Sequence, residues 1–600
     1  MLLLFVPRAL TYAMTVSVTS SGAAGDAADL IVNAVSNSAI VTVRSGITLS
    51  ERDVGKLILL FGIGPATTPN NNQDLIGTIT GISHGTNVAM SVKAGITGEN
   101  INGVIGTQNA IAFQQCVDKC AGTNTTIFVP AGRYLLVAPG QLAASVLHAG
   151  CWPTASAVTI RKGGIRFLGA GRDSSVLVGC GAWRLKGAFS HRGWMFTCEG
   201  PIKHDAPLVF ENLTLDGGVP VGHQFYHGFP ARTTDGAGWD CTHGAVVDCG
   251  TPPLHRFKAF RNCRFTHWRG EMLKSVVAGT DGFIELTNCL FDDGNASGFN
   301  FNFSHRISGC TFSNLFQALE FYEGYCTKPC WLEDSLITNI SGNVMAINGA
   351  LKNHPPPAYN IVSNMFFLSQ GFGVLTTPAQ NLNVIGNRFT CPEGATAIGL
   401  GCAGYQGSAI NSNILVAFNS FSNAQYAVEI MGSGPNRVAN VLVASNSAVS
   451  VHDFANGYGW STNVTFVGNE STGSGPLMSG LLQGQWFLDD PSNRFPPWRV
   501  TDAIGRTNVV TYATGRRQQT WTSKTNALFV IDDTRPEKIP SGAVMEISHS
   551  GAPAKLALSQ RELSHATMTL TNGQTVVCRW EGGEWRMAGL KDQGTKGPRD

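Results

Sequence analysis

Five carboxylates, Glu271, Asp292, Asp293, Glu320 and Glu323, stand in the central part of the chain. A pair of carboxylates suits the cleavage of a glycosidic bond, because one must protonate the departing oxygen while the other attacks the sugar or activates water. Cations stand among them: His267, Arg269, Lys274, His305 and Lys328. These suit a different reaction, in which a base removes the proton beside a uronate carboxylate and positive charge holds the resulting anion. Trp268, Tyr322, Tyr325, Trp331 and Tyr359 add rings that could stack on the apolar faces of sugars. Each of these residues has an ordinary alternative, a solvated face or a corner hydrogen bond for the charges and core packing for the rings.

What brings such residues together is a repeat. FENLTLDG (Phe210 to Gly217), FRNCRFTHW (Phe260 to Trp268), LTNCLFDDG (Leu286 to Gly294), ISGCTFSNL (Ile307 to Leu315) and WLEDSLITN (Trp331 to Asn339) share one pattern. IVSNMFFLS (Ile361 to Ser369), VIGNRFTCP (Val384 to Pro392), VAFNSFSNA (Val416 to Ala424), VASNSAVSV (Val443 to Val451) and FVGNESTGS (Phe466 to Ser474) continue it. Each phrase is an alternating apolar strand, a polar residue or Asn at a bend, and a further apolar position, recurring roughly every 20 to 30 residues. That is about one coil of a parallel β-helix, in which Asn and Gly accept the left-handed corners and stacked coils bury the face that no single coil can bury.

Alternation then assigns directions. Phe299, Phe301 and Phe303 read as inward, which turns Asn300 and Asn302 outward; Leu319 and Phe321 inward leave Glu320 and Tyr322 outside. In the same way Met345 and Ile347 leave Ala346 and Asn348 outside, and Leu273 leaves Lys274 outside. Because coils stack about 4.8 Å apart, the stripe Lys274, Asn300, Asn302, Glu320, Tyr322 and Asn348 forms one outer trough. Glu320 is the first catalytic candidate, with Asp292, Asp293, Glu271 and Glu323 as partners. Trp268, His305 and Tyr325 join the stripe as substrate-binding candidates. Outward Asn and Glu oxygens suit calcium, a sugar hydroxyl or water equally well, so the pattern requires no cofactor and leaves calcium open. Cys263, Cys289 and Cys310 recur at one place in three phrases and read as an inward stack of small core thiols. Cys326 and Cys330 are spaced for a loop disulfide if the protein is exported.

Upstream, in TQNAIAFQQCVDKCAGTNTTIFVPAGRYLL (Thr107 to Leu136), Ala110, Phe113, Val117 and Cys120 mark one face of a helix that leads through a turn into a strand. With the Pro-x-Gly-x-Tyr ending Pro130, Gly132, Tyr134 and the glycine-centred turn of IRFLGAGRDSSVLVG (Ile165 to Gly179), this resembles the pectate-lyase-like superfamily. The likeness is to the branch that contains laminarinase-type glucanases and phage tailspikes, and it spans roughly Thr107 to Gly480. The resemblance implies a right-handed parallel β-helix acting outside the cell or at its surface. It also implies cleavage of polysaccharide glycosidic bonds, with a hydrolase first, a lyase or uronate epimerase second, and a noncatalytic tailspike-like or adhesin glycan binder third. A homotrimer is among the assemblies it implies. The sequence departs from polygalacturonases of that fold: their Gly-His-Gly and Arg-Ile-Lys motifs are missing and only the isolated Asp292-Asp293 pair matches.

Length and composition fit this all-β reading. A chain of 600 residues exceeds one ordinary compact domain, and 70 glycines with 14% charged residues suit short strands and frequent turns. A net charge of +2 gives no broad field for nucleic acid, and no apolar run is long enough to span a membrane. Residues 1–30 read as a leader or disordered start, with Met14 as a second candidate initiator, and 31–104 as a small β-rich module. The β-helix with its capping helix takes 105–482, a linker 483–506, a C-terminal β-sandwich or small barrel 507–592, and a disordered tail 593–600. Trp580 and Trp585 in the C-terminal part read first as core and second as sugar-binding.

Overall fold

The structure is a computed structural model. It describes residues 14–61, 63–64, 75–120, 124–137, 156–179, 193–198, 206–218, 243–248, 257–268, 270–275, 282–294, 297–300, 304–322, 326–348, 358–377, 379–401, 410–432, 437–472, 478–479, 482–487, 492–494, 498–501, 507–511, 518–523, 528–532, 544–551, 553–558, 567–581 and 584–592. The chain divides into two compact units, Met1–Ser369 and Gln370–Asp600.

In the first unit the repeats wind as a right-handed parallel β-helix of three sheets. The first sheet stacks, among others, Ile165–Gly169, Leu208–Glu211, Phe257–Arg261 and Phe283–Thr287. The second stacks Thr214–Asp216, Arg264–Thr266, Leu290–Asp292 and Thr311–Leu315. The third stacks Leu273–Ser275, Ser297–Asn300, Gln317–Tyr322 and Met345–Asn348. Parallel register repeats each inward side chain directly above its counterpart. Phe167, Phe210 and Phe260 therefore stack at 4.9 and 5.1 Å, and Phe265, Phe291 and Phe312 at 4.6 and 4.7 Å.

The bend from the first sheet to the second is where sequence matters most. Asn212, Asn262 and Asn288 hold φ near +56°, +50° and +54°, followed in later coils by Gly309, Asp334 and Ser363. The residue after each bend turns inward: Leu213, Cys263, Cys289, Cys310, Ser335 and Asn364 are all buried. Cys263, Cys289 and Cys310 are free thiols in this column, as their spacing predicts. Cys289 N–H donates to Cys310 Sγ at 3.4 Å, Cys310 N–H to Ser335 Oγ at 3.1 Å, and Ser335 N–H to Asn364 Oδ1 at 2.9 Å. Cys326 and Cys330 are also buried free thiols, which corrects the expected loop disulfide.

The start of the unit is more ordered than its composition implies. Met14–Ser17 pairs in parallel with Thr125–Val129 as an extra rung, within a segment read as a leader because its short apolar strand lacks any repeat of its own. Six antiparallel strands close a small barrel in the order Ala28–Ala34, Ile40–Ser45, Asn87–Met90, Leu75–Ser83, Leu57–Leu60 and Gly98–Gly106. Its core includes Leu30, Val32, Val41, Ile58, Leu60, Ile79, Val88 and Ile105. The helix Ala110–Lys119 follows, burying Phe113, Cys116 and Val117, with Phe113 edge-on to Tyr134 at 5.9 Å.

In the second unit the bend column becomes asparagine. Asn387 N–H donates to Asn419 Oδ1, and Asn419 N–H to Asn446 Oδ1, both at 2.9 Å. Asn446 N–H reaches Asn469 Oδ1 at 3.1 Å, and Asn469 N–H reaches Asn493 Oδ1 at 2.9 Å. Strands Leu482–Phe487 and Trp498–Thr501 occupy the stretch read as a linker, whose Pro and Asn residues masked them. The C-terminal part is two sheets around one core that contains Ile531, Met545, Ile547, Leu556, Trp580 and Trp585. Alternation predicts the sandwich but not its pairing: Trp498–Thr501, Gln518–Ser523 and Val544–Gly551 run parallel, before Gln574–Glu581 and Glu584–Asp592 turn antiparallel. Trp580 and Trp585 meet edge-on at 5.4 Å, each 4% exposed, as core residues.

Replacing Asn446 by Ala strips the buried Asn419 N–H and the Val416 carbonyl of their partners. We expect this to cost about 2–4 kcal/mol in denaturant unfolding. The same change at exposed Asn413, a left-handed corner (φ +57°), should cost only about 1 kcal/mol.

Candidate functional site

The third sheet of the first unit carries the outward stripe in the register that alternation predicts. Leu273, Phe299, Leu319 and Met345 align inward, each fully buried, and Lys274, Asn300, Glu320 and Ala346 align outward. Glu271, from the bend that precedes Leu273–Ser275, joins this column. Asn300 Nδ2 donates to Glu271 Oε1 at 2.5 Å and to Glu320 Oε2 at 3.4 Å. Lys274 Nζ pairs with Glu271 Oε2. One amide nitrogen thus sits between two carboxylates, and an ammonium group closes the cluster on one side. The stripe points outward yet is not a wet surface: Glu271 is 1%, Asn300 4% and Glu320 8% exposed. Charges withdrawn from water to that extent need partners, and here they supply one another.

The remaining predicted residues separate from this cluster. Asp292 ends a strand of the second sheet and is held by Arg264, Nε to Oδ1 at 3.0 Å and Nη2 to Oδ2 at 2.6 Å. Asp293 is a left-handed corner (φ +54°) whose Oδ1 accepts from Asn314 Nδ2 at 3.1 Å. Both belong to another sheet and its corner, with partners of their own there. Trp268 is 1% exposed and donates Nε1–H to the Leu215 carbonyl at 2.9 Å, so it is core and offers no stacking face. His305 is fully buried on the first sheet, 2.7 Å from the hydroxyl of buried Tyr359. Tyr322 pairs in register with Asn348 on the third sheet. Asn302, Glu323, Tyr325 and Arg269 lie outside the described residues. Trp331 is 36% exposed on the first sheet, and Lys328 stands 5.8 Å from the Phe283 ring. Among the described residues no three His, Cys, Asp or Glu side chains converge as metal ligands, and no helix is long and apolar enough to cross a membrane.

Asp216, Glu429 and Asp453 are buried carboxylates that the sequence reading did not single out. Glu429, in Tyr426–Met431 of the second unit, is 8% exposed; it accepts from Asn456 Nδ2 at 2.9 Å and lies 3.4 Å from Thr396 Oγ1. Burial pushes its carboxyl above the usual carboxylate range, against the pull of those two hydrogen bonds. Its signal is the one used for Glu320, a Glu between the inward residues Val428 and Ile430, but no neighbouring carboxylate drew attention to it.

Fold and cluster together define a parallel β-helix with a buried carboxylate pair on one outer face. Solved structures of similar course include the A-module of a mannuronan C-5 epimerase from Azotobacter vinelandii, 13% identical over 65% of this chain and 94% of that one, with a TM-score of 0.44. The catalytic unit of a GH87 α-1,3-glucanase from Streptomyces thermodiastaticus is 11% identical over 78% and 87%, at a TM-score of 0.37. A surface adhesin of Streptococcus pneumoniae is 11% identical over 80% and 96%, at 0.33. No family model and no curated protein matches the sequence.

Because the folded state raises the proton affinity of Glu429, it binds the proton more tightly than the unfolded chain does, so stability falls as pH rises through the carboxylate range and beyond. Glu429→Gln keeps a hydrogen-bonding group without the charge. It should raise the thermal midpoint at pH 7 relative to wild type, with the difference vanishing near pH 4, as read by calorimetry across pH.

Proposed function

We propose that this chain cleaves glycosidic bonds of a polysaccharide at the Glu271–Asn300–Glu320 cluster, acting as a hydrolase. The observation that carries the reading is that both carboxylates accept from one amide nitrogen, which keeps the bonded oxygens within about 6 Å of each other. That separation is nearer the roughly 5 Å of a retaining pair than the roughly 6.5–9.5 Å of an inverting one. Glu271, in its ion pair with Lys274, is the anionic member that attacks the sugar. Glu320, the more accessible of the two, delivers a proton to the departing oxygen and then takes one from water. Asn300 fixes the spacing, and its amide is placed to bond a sugar hydroxyl when substrate enters.

The polysaccharide, an extracellular or cell-surface setting and a homotrimeric assembly are parts of the same proposal. Lys274 gives a specific reason to retain a second reading, a lyase or epimerase, since an ammonium group beside a carboxylate could hold a uronate anion while Glu320 takes the proton. Products distinguish the readings: a hydrolase yields reducing ends alone, a lyase also yields an unsaturated sugar absorbing in the ultraviolet, an epimerase yields neither but inverts a uronate centre that proton NMR reads, and a pure glycan binder does none of these.

In a panel of neutral and acidic polysaccharides we expect reducing ends without ultraviolet absorbance. Glu320→Gln and Glu271→Gln should each lower kcat by about 10³-fold or more with KM changed little. If both variants retain near-wild-type turnover, the cluster is not the active site. Activity should survive EDTA, because the Lys274 ammonium already balances the charge of Glu271; loss of activity restored by calcium would overturn the cofactor-free reading.

A further inference from the structure

The first unit holds a second cleft, apart from the third-sheet cluster, between the small barrel and the second sheet of the earliest coils, with polar groups set among Leu30, Ile31 and Phe61. The chain forces these two parts together. Arg133 N–H donates to the Gly25 carbonyl at 3.3 Å, Ala27 N–H donates to the Arg133 carbonyl at 2.9 Å, and Gly132 (φ +147°) lies so close that a Cβ there would meet Gly25 Cα at 2.9 Å. Asp29, Ser45 and Asn102 line the cleft from the barrel, and Arg133, Asp216 and His267 from the coils.

The coil side is a built constellation. Asp216 is 7% exposed; its Oδ1 is 2.8 Å from His267 Nδ1 and accepts from Gly218 N–H at 2.8 Å, and its Oδ2 is 3.6 Å from Arg133 Nη2. Arg133 also pairs with Asp29, 70% exposed, at 2.5 Å. His267 holds a left-handed corner (φ +60°), in register with the corners at Asp293 and Asn314 in the next two coils, which turns its ring into the cleft. With Nδ1 taken by Asp216, the other ring nitrogen, Nε2, has no hydrogen-bond partner among the described residues. The side chains of Asn102 and Ser45 have none either.

We propose that this cleft binds a small hydroxylated carboxylate, one sugar acid in size: the carboxylate lies between Arg133 and His267, and the hydroxyls meet Asn102, Ser45 and Asp29. Two facts select that class. The cleft has a volume of about 280 Å³, at the lower limit of the roughly 300–1,000 Å³ typical of ligand sites, so it takes one ring and not an oligomer. Its lining sets the Arg133 guanidinium and the His267 ring, with the Asp216 carboxylate between them, on one wall, and neutral amide and hydroxyl groups with Asp29 on the other, so a ligand carrying an anion and hydroxyls finds donors for the first and both donors and acceptors for the second. Burial opposes the charged imidazole, yet the bond to Asp216 and the fields of Asp293 and Asp292 hold His267 above its ordinary pKa. The charged groups around it are Asp216, Asp292 and Asp293, with Arg133 and Arg264 from the coils and Asp29 from the barrel side of the cleft. The ligand carboxylate stays ionised through the neutral range, so binding should tighten as pH falls through the range in which His267 gains its proton.

Titration calorimetry of the full chain with D-glucuronate and D-glucose tests this. Glucuronate should bind one to one and at least about tenfold more tightly than glucose, and its affinity should fall as pH rises. Asn102→Leu, which fills the cleft from the barrel side, should weaken glucuronate by about tenfold or more and leave polysaccharide cleavage and the thermal midpoint unchanged; Ser45→Ala serves if the first variant does not fold. Glu320→Gln should abolish cleavage and leave glucuronate binding intact. Equal affinity for the two sugars, binding indifferent to both cleft variants, absence of binding, or loss of binding in Glu320→Gln would each overturn the assignment.

Discussion

At the described bends from Cys289 onward, the β-helix turns from its first sheet to its second around a backbone N–H that would be bare in the core, and the side chain that meets it comes from the next coil. The donor at each bend finds a thiol, a hydroxyl or an amide oxygen in the column of residues after the left-handed corner. A buried amide group without a partner costs about as much as a small domain can spare from its total stability. The bend column therefore fixes the stacking register, and the register in turn fixes which outward residues become neighbours.

The acidic cluster follows from that register. Glu320 and Asn300 are 20 residues apart in the chain and directly opposite each other across adjacent rungs. Asn300 and Lys274 are paired in the same way one coil earlier. A slip of one residue would exchange inward Leu319 for outward Glu320 and scatter the cluster, so the aromatic stacks of the core indirectly hold the spacing of Glu271, Asn300 and Glu320.

How much of this the sequence reveals depends on the range of the interaction that decides it. The coil repeat, the thiol column and the inward or outward sense of Lys274, Asn300 and Glu320 are legible because each rests on alternation within a few residues. The choice of Glu271 over Asp292 as the partner of Glu320 is not, because it depends on Arg264 claiming Asp292 from an adjacent rung. Trp268 and His305 look like site residues because they neighbour the carboxylates in sequence; the Leu215 carbonyl and Tyr359 that occupy them lie 53 and 54 residues away along the chain. The parallel pairing in the C-terminal sheets is hidden for the same reason, since alternation reports the face of a strand and not its partner.

The asparagine column has a direction. Asn419 gives its amide hydrogen back to the Val384 carbonyl of the preceding coil while its oxygen receives Asn387 N–H from that same coil, and Asn446 does the same for Val416 and Asn419. Each turn is thus finished by the one synthesised after it, like a zipper that closes only behind the slider. A nascent chain would carry its newest bend unsealed until the following turn emerges, so the burden of closure passes steadily toward the C-terminal end.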